Sequence, residues 1–467
     1  MMDLAQRQAL VALLHEQVVP AVGCTEPAAV ALATAKACEV LGCPPRSGSI
    51  GKDIRAALGC GCPDRLDVRL SPNMLKNALG VGIPGTGMVG LPIAIALGAL
   101  IGQSTDGLQV LKDVTPEAVS TGRRLIQEGR IHIALAPEPV PLLYIEVTAT
   151  RGQESATAVI ADSHTRFVRI LRNGQALSLV PAQEDNSTRT PGLPDPDTAS
   201  TNGEEQRVQP QAALRLSVVY DFATTAPLEE IDFINEAAHL NLAAAETALQ
   251  GNYGHQLGKT LTRPLGLGIL GPSIYTHILA TTAAACDARM AGALLPVMSN
   301  SGSGNQGICA TNPVAVFARE NHNTAEELTR ALILSHLTAI YIKQSLGTLS
   351  ALCGCVVAST GSACGITYLM GGDYPHICAA VKNMVANLTG MICDGAKPAC
   401  ALKLSSAVST AVLSALLAMQ GQEVSAAEGI IDEDVDRSIH NLTRIGHDAM
   451  RATDQCVLDI MCAKHTP

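Results

Sequence analysis

Two long stretches without charged side chains limit what this chain can fold into. Residues 77–105 and 344–372 contain no Asp, Glu, Lys or Arg, and each is long enough to span a bilayer. The first is interrupted by Pro84, Pro92 and several glycines, and the chain has no Trp to anchor a span at a membrane surface. We therefore expect helices buried within protein. A membrane carrier with broken helices is the alternative.

The composition favours an enzyme over a nucleic-acid-binding protein. Hydrophobic residues make up 47% of the 467 residues and aromatic residues 2%, so the interior must be built from small aliphatic side chains. The formal net charge of -10, without a basic run, excludes an electrostatic surface for nucleic acid. A chain of this length can bury a large core and hold more than one domain.

The cysteine content points to metal or thiol chemistry. The N-terminus mixes charged residues with leucines, which predicts an amphipathic helix rather than a secretory signal. We therefore expect a cytoplasmic protein. In that compartment the 15 cysteines are better suited to bind metal than to form disulfides.

Sequence patterns divide the chain into three segments. Residues 1–63 hold N-terminal helices and a GCTEP loop, and residues 64–225 form an α+β segment. Within it, residues 181–210 are polar and proline-rich, and we expect them to be a flexible insertion. Residues 226–467 predict helices. The expected fold class is α+β, with a mainly helical C-terminal domain carrying the site and a smaller mixed α/β domain from the N-terminal half.

Strand-like runs support the α+β assignment. They lie at residues 131–137, 142–150 and 165–171, between Gly- and Pro-containing turns. The C-terminal segment lacks such alternation.

The segment CDGAKPAC, residues 393–400, is the first candidate site. A glycine and a proline between Cys393 and Cys400 enforce a turn, so both thiols lie on one short loop. Lys397 would lower their pKa, and Lys403 is a further candidate for charge there. Two soft thiolates held in this way suit an iron–sulfur cluster, and a structural role is the alternative.

A second pair of thiols lies in the later uncharged stretch. Cys353 and Cys355 are separated by a single glycine, which frees the backbone to wrap around a ligand. Buried free cysteines are also common in protein cores. One of the two is expected as a third ligand, and the sequence leaves the choice open.

The segment SNSGSGNQG, residues 299–307, predicts an anion-binding loop. It offers backbone N–H groups and small hydroxyls, the donors that a carboxylate needs. It lacks the lysine of a Walker motif and the spacing of a dinucleotide fingerprint, and a simple helix connector is the alternative. The candidate substrate-binding residues are Ser299, Asn300, Ser301, Gly302, Ser303, Asn305 and Gln306.

Cys24 is the candidate catalytic residue. It stands directly before Thr25, Glu26 and Pro27 at a predicted helix start, where the macrodipole would favour a thiolate. It could act as a base or a nucleophile, and an inert thiol is the alternative. Thr25 and Glu26 join the substrate-binding candidates.

These four motifs together resemble the L-cysteine desulfidase family, also described as serine dehydratase alpha-like proteins. They are GCTEP at 23–27, SNSGSGNQG at 299–307, CGC at 353–355 and CDGAKPAC at 393–400, and the similarity spans nearly the whole chain. That family is related to the iron–sulfur L-serine dehydratases. In those enzymes a GC-containing segment and a later Cys-Asp-Pro loop supply three thiolates and leave one iron open for substrate.

The resemblance implies a carbon–sulfur lyase with a 4Fe-4S cluster. Cys393, Cys400 and one of Cys353 and Cys355 would bind three irons, and the fourth iron would act as a Lewis acid toward the leaving group. Cys24 would remove the Cα proton of L-cysteine. The products would be pyruvate, ammonia and sulfide.

Departures from the dehydratase pattern affect two expectations. The spacing of the cluster cysteines is shorter here, which leaves Cys353 and Cys355 undecided. The dehydratase segment matching GCTEP is serine-rich with a histidine, so Cys24 favours cysteine as substrate, and L-serine dehydratase on the same cluster is the alternative. Cys462 near the end receives no role. We expect a small amino-acid substrate, no nucleic acid and no membrane, and consider a homodimer as the oligomer.

Overall fold

The fold is mixed α+β, as the sequence predicts. The computed structural model describes residues 2–43, 62–137, 139–179, 214–347 and 350–464. The predicted insertion at 181–210 lies outside the described residues. The three segment boundaries stay predictions, and one continuous apolar core contains residues from all three segments.

The N-terminal part consists of two helices joined by a short strand. The predicted first helix is α1 (Leu4–Gln17), and β1 (Pro20–Val22) follows it. α2 (Thr25–Leu41) begins directly after Cys24 and ends at Gly42, which adopts the left-handed conformation typical of helix ends. Nearly every residue of α2 is buried, so this helix is a central element of the core.

A six-stranded sheet forms the β part of the described chain. The strands are β2 (Arg65–Leu70), β3 (Ile131–Leu135), β4 (Tyr144–Arg151), β5 (Glu154–Ala161), β6 (Phe167–Arg172) and β7 (Gln175–Leu179). Their order in the sheet is β3-β2-β4-β5-β6-β7, in which β2 and β3 run parallel and the other neighbours antiparallel. α2 packs against β4 and β5. The three strand-like runs of the sequence are β3, β4 and β6.

Three helices lie between β2 and β3 in the sequence. They are α3 (Pro72–Ala78), α4 (Leu91–Leu100) and α5 (Pro116–Gln127), with a 3-10 turn at Ser104–Gln109. α4 packs against α2 and α5.

The C-terminal segment is helical, apart from β8 (Pro296–Met298). The helices are α6 (Leu216–Thr225), α7 (Leu228–Ile231), α8 (Asn235–Gln250), α9 (Leu257–Thr262), α10 (Pro264–Leu270), α11 (Ile274–Met290), α12 (Gly304–Glu320), α13 (Ala325–Leu346), α14 (Gly354–Leu369), α15 (Tyr374–Leu388), α16 (Cys400–Met419), α17 (Val435–Arg444) and α18 (Arg451–Ala463). A central helix, α14, packs against α12, α13, α15 and α16.

Both uncharged stretches contain helices buried in the protein. α4 and α14 are almost fully buried, and both are shorter than the roughly 20 residues that a membrane span needs. Among the described helices, α16 is long and apolar enough to cross a membrane, and half of its most apolar window is buried. A core helix of a soluble protein passes the same test.

An ion pair ties the C-terminal helix to α3. The side chain of Lys76 in α3 is 2% exposed and pairs with Asp454 of α18, which is 15% exposed. The backbone of Lys76 also lies against Gly395, where a Cβ atom would come within 2.3 Å of the Lys76 carbonyl oxygen. The loop that carries Cys393 and Cys400 therefore rests on α3.

Gly307 lets α12 cross β8 at close range. A Cβ atom at Gly307 would lie 1.9 Å from the carbonyl oxygen of Met298. We therefore expect Gly307→Ala to lower the free energy of unfolding by about 1–3 kcal/mol, measured by urea denaturation. Gly268→Ala in α10 is the control, because a Cβ there meets nothing within 4 Å. Equal losses in the two variants would contradict the packing argument.

Candidate active site

A two-stranded ribbon holds two of the predicted loops side by side. β1 pairs antiparallel with β8, with Ala21 opposite Val297. The GCTEP loop follows β1 and the SNSGSGNQG loop follows β8. The Thr25 hydroxyl donates a hydrogen bond to the carbonyl of Gly302 at 2.9 Å, which joins the loops directly.

Three predicted substrate-binding residues support these loops instead of lining a cavity. The Thr25 hydroxyl makes the bond to Gly302, and the Ser299 hydroxyl donates to the Val19 carbonyl at 2.6 Å. The side-chain amide of Asn300 lies 3.1 Å from both the carbonyl oxygen and Nδ1 of His336. All three side chains are buried. Their placement supports a role in loop structure rather than direct substrate contact.

His336 is the centre of a buried polar network. Its Nε2 lies 3.0 Å from the Thr311 hydroxyl, and its Nδ1 lies 3.1 Å from Asn300. Burial lowers the pKa of His336 to about 3, so its ring is neutral at pH 7. Asn241 extends the network, because its amide also donates to Thr311 at 3.2 Å.

A second backbone contact joins the two cysteine motifs. Leu352 and Ile392 form an isolated antiparallel bridge. It places Cys353 beside Cys393 in the folded chain. The Cys353 and Cys355 sulfurs lie 2.9 Å apart. Segments forty positions apart in the chain are thus brought together by main-chain pairing.

Asp394 organises the charges of the CDGAKPAC loop. The ammonium groups of Lys397 and Lys403 both contact its carboxylate, and Lys403 also donates to the Ile392 carbonyl at 2.6 Å. Burial alone would raise the pKa of Asp394, but the two lysines lower it to about 2. The lysines are therefore engaged by Asp394.

Lys397 lowers the pKa of Cys400, as expected, but burial has the larger effect. The pKa of Cys400 is therefore raised, although Lys397 and Lys403 both act to lower it. The neighbouring Cys353 thiol, together with burial, raises the pKa of Cys393 well above its ordinary value. Both thiols are therefore protonated at neutral pH, and binding of a soft metal would displace their protons.

One pocket brings most of the predicted site residues together. It lies where the ribbon loops meet the two cysteine motifs. Its lining includes the predicted residues Cys24, Glu26, Ser301, Gly302, Ser303, Asn305, Gln306, Cys353, Cys355, Cys393 and Cys400.

Cys24 is a neutral thiol in this pocket, contrary to the expectation from the helix dipole. Burial raises its pKa well above the ordinary value, and the negative charge of Glu26 raises it further, whereas Arg289 acts in the opposite direction. The thiol donates a hydrogen bond to Glu26 Oε2 at 2.9 Å. A carboxylate that can accept the thiol proton is therefore already in contact with it.

Five cysteines among the described residues line this one cavity, and sulfur is the donor that iron–sulfur clusters require. Within the described ranges, no three His, Cys, Asp or Glu side chains converge closely enough to hold a single metal ion. Cys353, Cys393 and Cys400 could hold the cluster, with Cys355 as the alternative to Cys353.

The lining residues that sequence reasoning missed include Asn77, His164, Arg289 and Lys343. Each is a single residue outside any motif. Arg289 lies in the last turn of α11 and Lys343 in the last turn of α13, where basic residues are common, so neither stands out in the sequence. His164 does not stand out either, since it belongs to the turn between β5 and β6. Burial lowers the pKa of Lys343 to about 8, and the nearby carboxylate of Glu26 opposes this shift.

The chain is similar in sequence to one family of known proteins. A family model described as serine dehydratase alpha chain matches residues 105–459. A UPF0597 protein of Bacteroides fragilis is 56% identical over 460 residues, covering 98% of this chain and 99% of the relative. UPF0597 proteins of Phocaeicola vulgatus and Oleidesulfovibrio alaskensis are 57% and 45% identical, and cover 98% and 97% of this chain and of their own lengths.

The neutral state of His336 predicts a pH dependence of stability. Its folded pKa of about 3 lies below the roughly 6.5 of an unfolded histidine. Between these values the unfolded chain binds more protons, so the free energy of unfolding falls as the pH decreases from about 6.5 toward about 3. We expect His336→Gln to remove about 2 kcal/mol of the difference between pH 7 and pH 5, measured by urea denaturation.

His239→Gln serves as the matched control, because the side chain of His239 is 77% exposed. This variant should keep the wild-type difference between the two pH values. An unchanged difference in the His336 variant would contradict a neutral buried ring.

Proposed function

Because the chain belongs to the serine dehydratase alpha chain family, we propose that it is an iron–sulfur lyase that eliminates sulfide from L-cysteine. Family membership supports a lyase. One observation carries the finer assignment: the pocket that holds Cys24 also holds Cys353, Cys355, Cys393 and Cys400. A proton acceptor and the sulfur ligands of a cluster would then face the same substrate.

A 4Fe-4S cluster is the cofactor that this proposal requires. When bound, it supplies a Lewis-acidic iron for the leaving sulfur. We assign Cys353, Cys393 and Cys400 as its ligands. The main-chain bridge between Leu352 and Ile392 places Cys353 beside Cys393, which supports Cys353 as the third ligand. The Cys355 thiol instead lies 3.7 Å from the sulfur of Met391.

Cys24 and Glu26 provide the proton transfer. Glu26 accepts the thiol proton through the existing hydrogen bond, and the positive charge of Arg289 stabilises the resulting thiolate. The thiolate takes the Cα proton of the substrate. The electron pair of that C–H bond forms the Cα–Cβ double bond, and the Cβ–S bond breaks with its electron pair leaving on sulfide. The released 2-aminoacrylate is hydrolysed to pyruvate and ammonia.

L-Serine dehydratase is the second candidate function. The matching family is described as serine dehydratase alpha chain, which favours serine. The same base and cluster would serve, with water leaving in place of sulfide. We favour cysteine because position 24 carries a thiol where the resembling dehydratases have a serine-rich segment. Pyruvate formation from equal concentrations of L-cysteine and L-serine separates the two candidates.

We place this enzyme in the cytoplasm, acting on a free amino acid. The burial of α4 and α14 speaks against the carrier alternative. A homodimer stays a prediction.

Single Cys→Ser variants, purified without oxygen, test the division of roles. We expect the changes at Cys353, Cys393 and Cys400 to abolish the iron content and visible absorbance, because each removes a thiolate ligand. Cys24→Ser should keep the iron and lose turnover of L-cysteine by at least about a hundredfold. Iron analysis and assays of sulfide and pyruvate measure these outcomes.

Cys364→Ser controls for the loss of a buried thiol, since Cys364 is buried but does not line the pocket. Cys355→Ser should retain iron. If Cys355→Ser loses iron and Cys353→Ser retains it, the third ligand is Cys355. A colourless, inactive wild-type protein would refute the proposed function.

A further inference from the structure

The pocket contains buried polar groups without a partner in the described part of the chain. They are the Nε atom of Arg289, the side-chain oxygens of Asn77 and Gln306, and the Nε2 atom of His164. All four residues line the pocket. Buried polar groups are normally hydrogen-bonded, so donors and acceptors left open around one cavity indicate a polar ligand.

Arg289 is the group best placed to bind an anion. It is 3% exposed, and the structure gives it no ion pair among the described residues. Its guanidinium lies over Gly304, where a Cβ atom would come within 2.3 Å of Nε. Gly304 is the first residue of α12, so the guanidinium sits beside the N-terminus of a 17-residue helix. A planar fork of donors next to a positive helix end matches a carboxylate.

The position of Arg289 relative to Cys24 indicates where the Cα atom of a bound carboxylate would lie. The positive charge of Arg289 acts on the Cys24 thiol, whose hydrogen bond runs to Glu26. A carboxylate held by Arg289 would therefore place its Cα atom within the neighbourhood of the Cys24 sulfur. Two lysines within the described ranges also line the pocket. Lys403 is engaged by Asp394, and Lys343 is the competing cation, within electrostatic reach of Cys393, Glu26 and His164.

His164 lies on the Glu26 side of the pocket. Its ring is close to Gly302, where a Cβ atom would lie 3.5 Å from Nδ1 and Cε1, and the charge of Glu26 acts on it. Burial lowers the pKa of His164, so the ring is neutral and one nitrogen can accept a hydrogen bond. A carboxylate and a neutral imidazole form a suitable environment for an ammonium group.

We propose that the pocket binds the zwitterion of a free L-α-amino acid, with Arg289 receiving the α-carboxylate and His164, beside Glu26, receiving the α-ammonium group. The third substituent, at Cβ, then points toward Cys353, Cys393 and Cys400. Three different contacts around one Cα define its handedness. This inference rests on the proposed function for the identity of the third contact, and it makes the β5–β6 turn part of the substrate site.

Binding of L-alanine tests the proposal without any elimination, because L-alanine has no leaving group. Isothermal titration of the anaerobically purified protein would compare L-alanine, L-alaninol, L-lactate and D-alanine. The wild type should bind L-alanine at least about tenfold more tightly than each of the others. L-Alaninol lacks the carboxylate and L-lactate lacks the ammonium group, so each probe reports one contact.

Arg289→Met should remove the preference for L-alanine over L-alaninol and leave the affinity for L-alaninol unchanged. His164→Phe should remove the preference for L-alanine over L-lactate. Gly304→Ala provides a second variant if Arg289→Met does not fold, because the new methyl group displaces the guanidinium without removing its charge. Arg330→Met, a largely buried arginine bonded to the carbonyls of Ala223 and Ala226, is the control and should behave as wild type.

Retention of both preferences in the folded variants would overturn the assignment. So would their loss in Lys343→Met instead, or a wild type that does not bind L-alanine. If the wild type shows both preferences but forms neither sulfide nor pyruvate, the proposed function fails and the amino-acid site stands. If the wild type forms sulfide and pyruvate but Arg289→Met still binds L-alanine more tightly than L-alaninol, the proposed function stands and the assignment of Arg289 fails.

Discussion

The site depends on two short backbone pairings between distant parts of the chain. The β1–β8 ribbon aligns the segment before Cys24 with the segment before the serine- and glycine-rich loop, and the Leu352–Ile392 bridge aligns the two cysteine motifs. Main-chain hydrogen bonds do not depend on side-chain identity, so these contacts fix the frame. The reactive side chains lie on loops whose ends are held together by these two pairings.

Burial controls the electrostatics of this frame. It keeps the thiols neutral, lowers the pKa of Lys343 to about 8 and holds His336 without charge. Charge is retained where a partner is close, as at Asp394 with its two lysines. Binding of a soft metal would change this balance, because thiolates replace thiols and their negative charge then lies within reach of Lys76 and Lys403.

The sequence predicted the motifs better than their surroundings. Gly/Pro punctuation and unusual cysteine spacing identified the loops at 23–27, 299–307 and 393–400, and the α+β class followed from strand-like runs before a helical segment. The failures have a common physical cause, which is burial. The helix dipole at Cys24 is outweighed by desolvation and by Glu26, and Asn300 turns away from the cavity to meet His336. Arg289 and His164 reach the pocket through helix packing and a hairpin turn, which no local pattern encodes.

The C-terminal helix has a consequence for the order of assembly. Asp454 of α18 neutralises Lys76, and the backbone of Lys76 supports the loop at Gly395. During synthesis, Lys76 leaves the ribosome long before its partner, and until α18 docks it is a cation without the carboxylate that its buried position demands. The loop that carries Cys393 and Cys400 therefore acquires its final support only after α18 has been synthesised and has docked against α3.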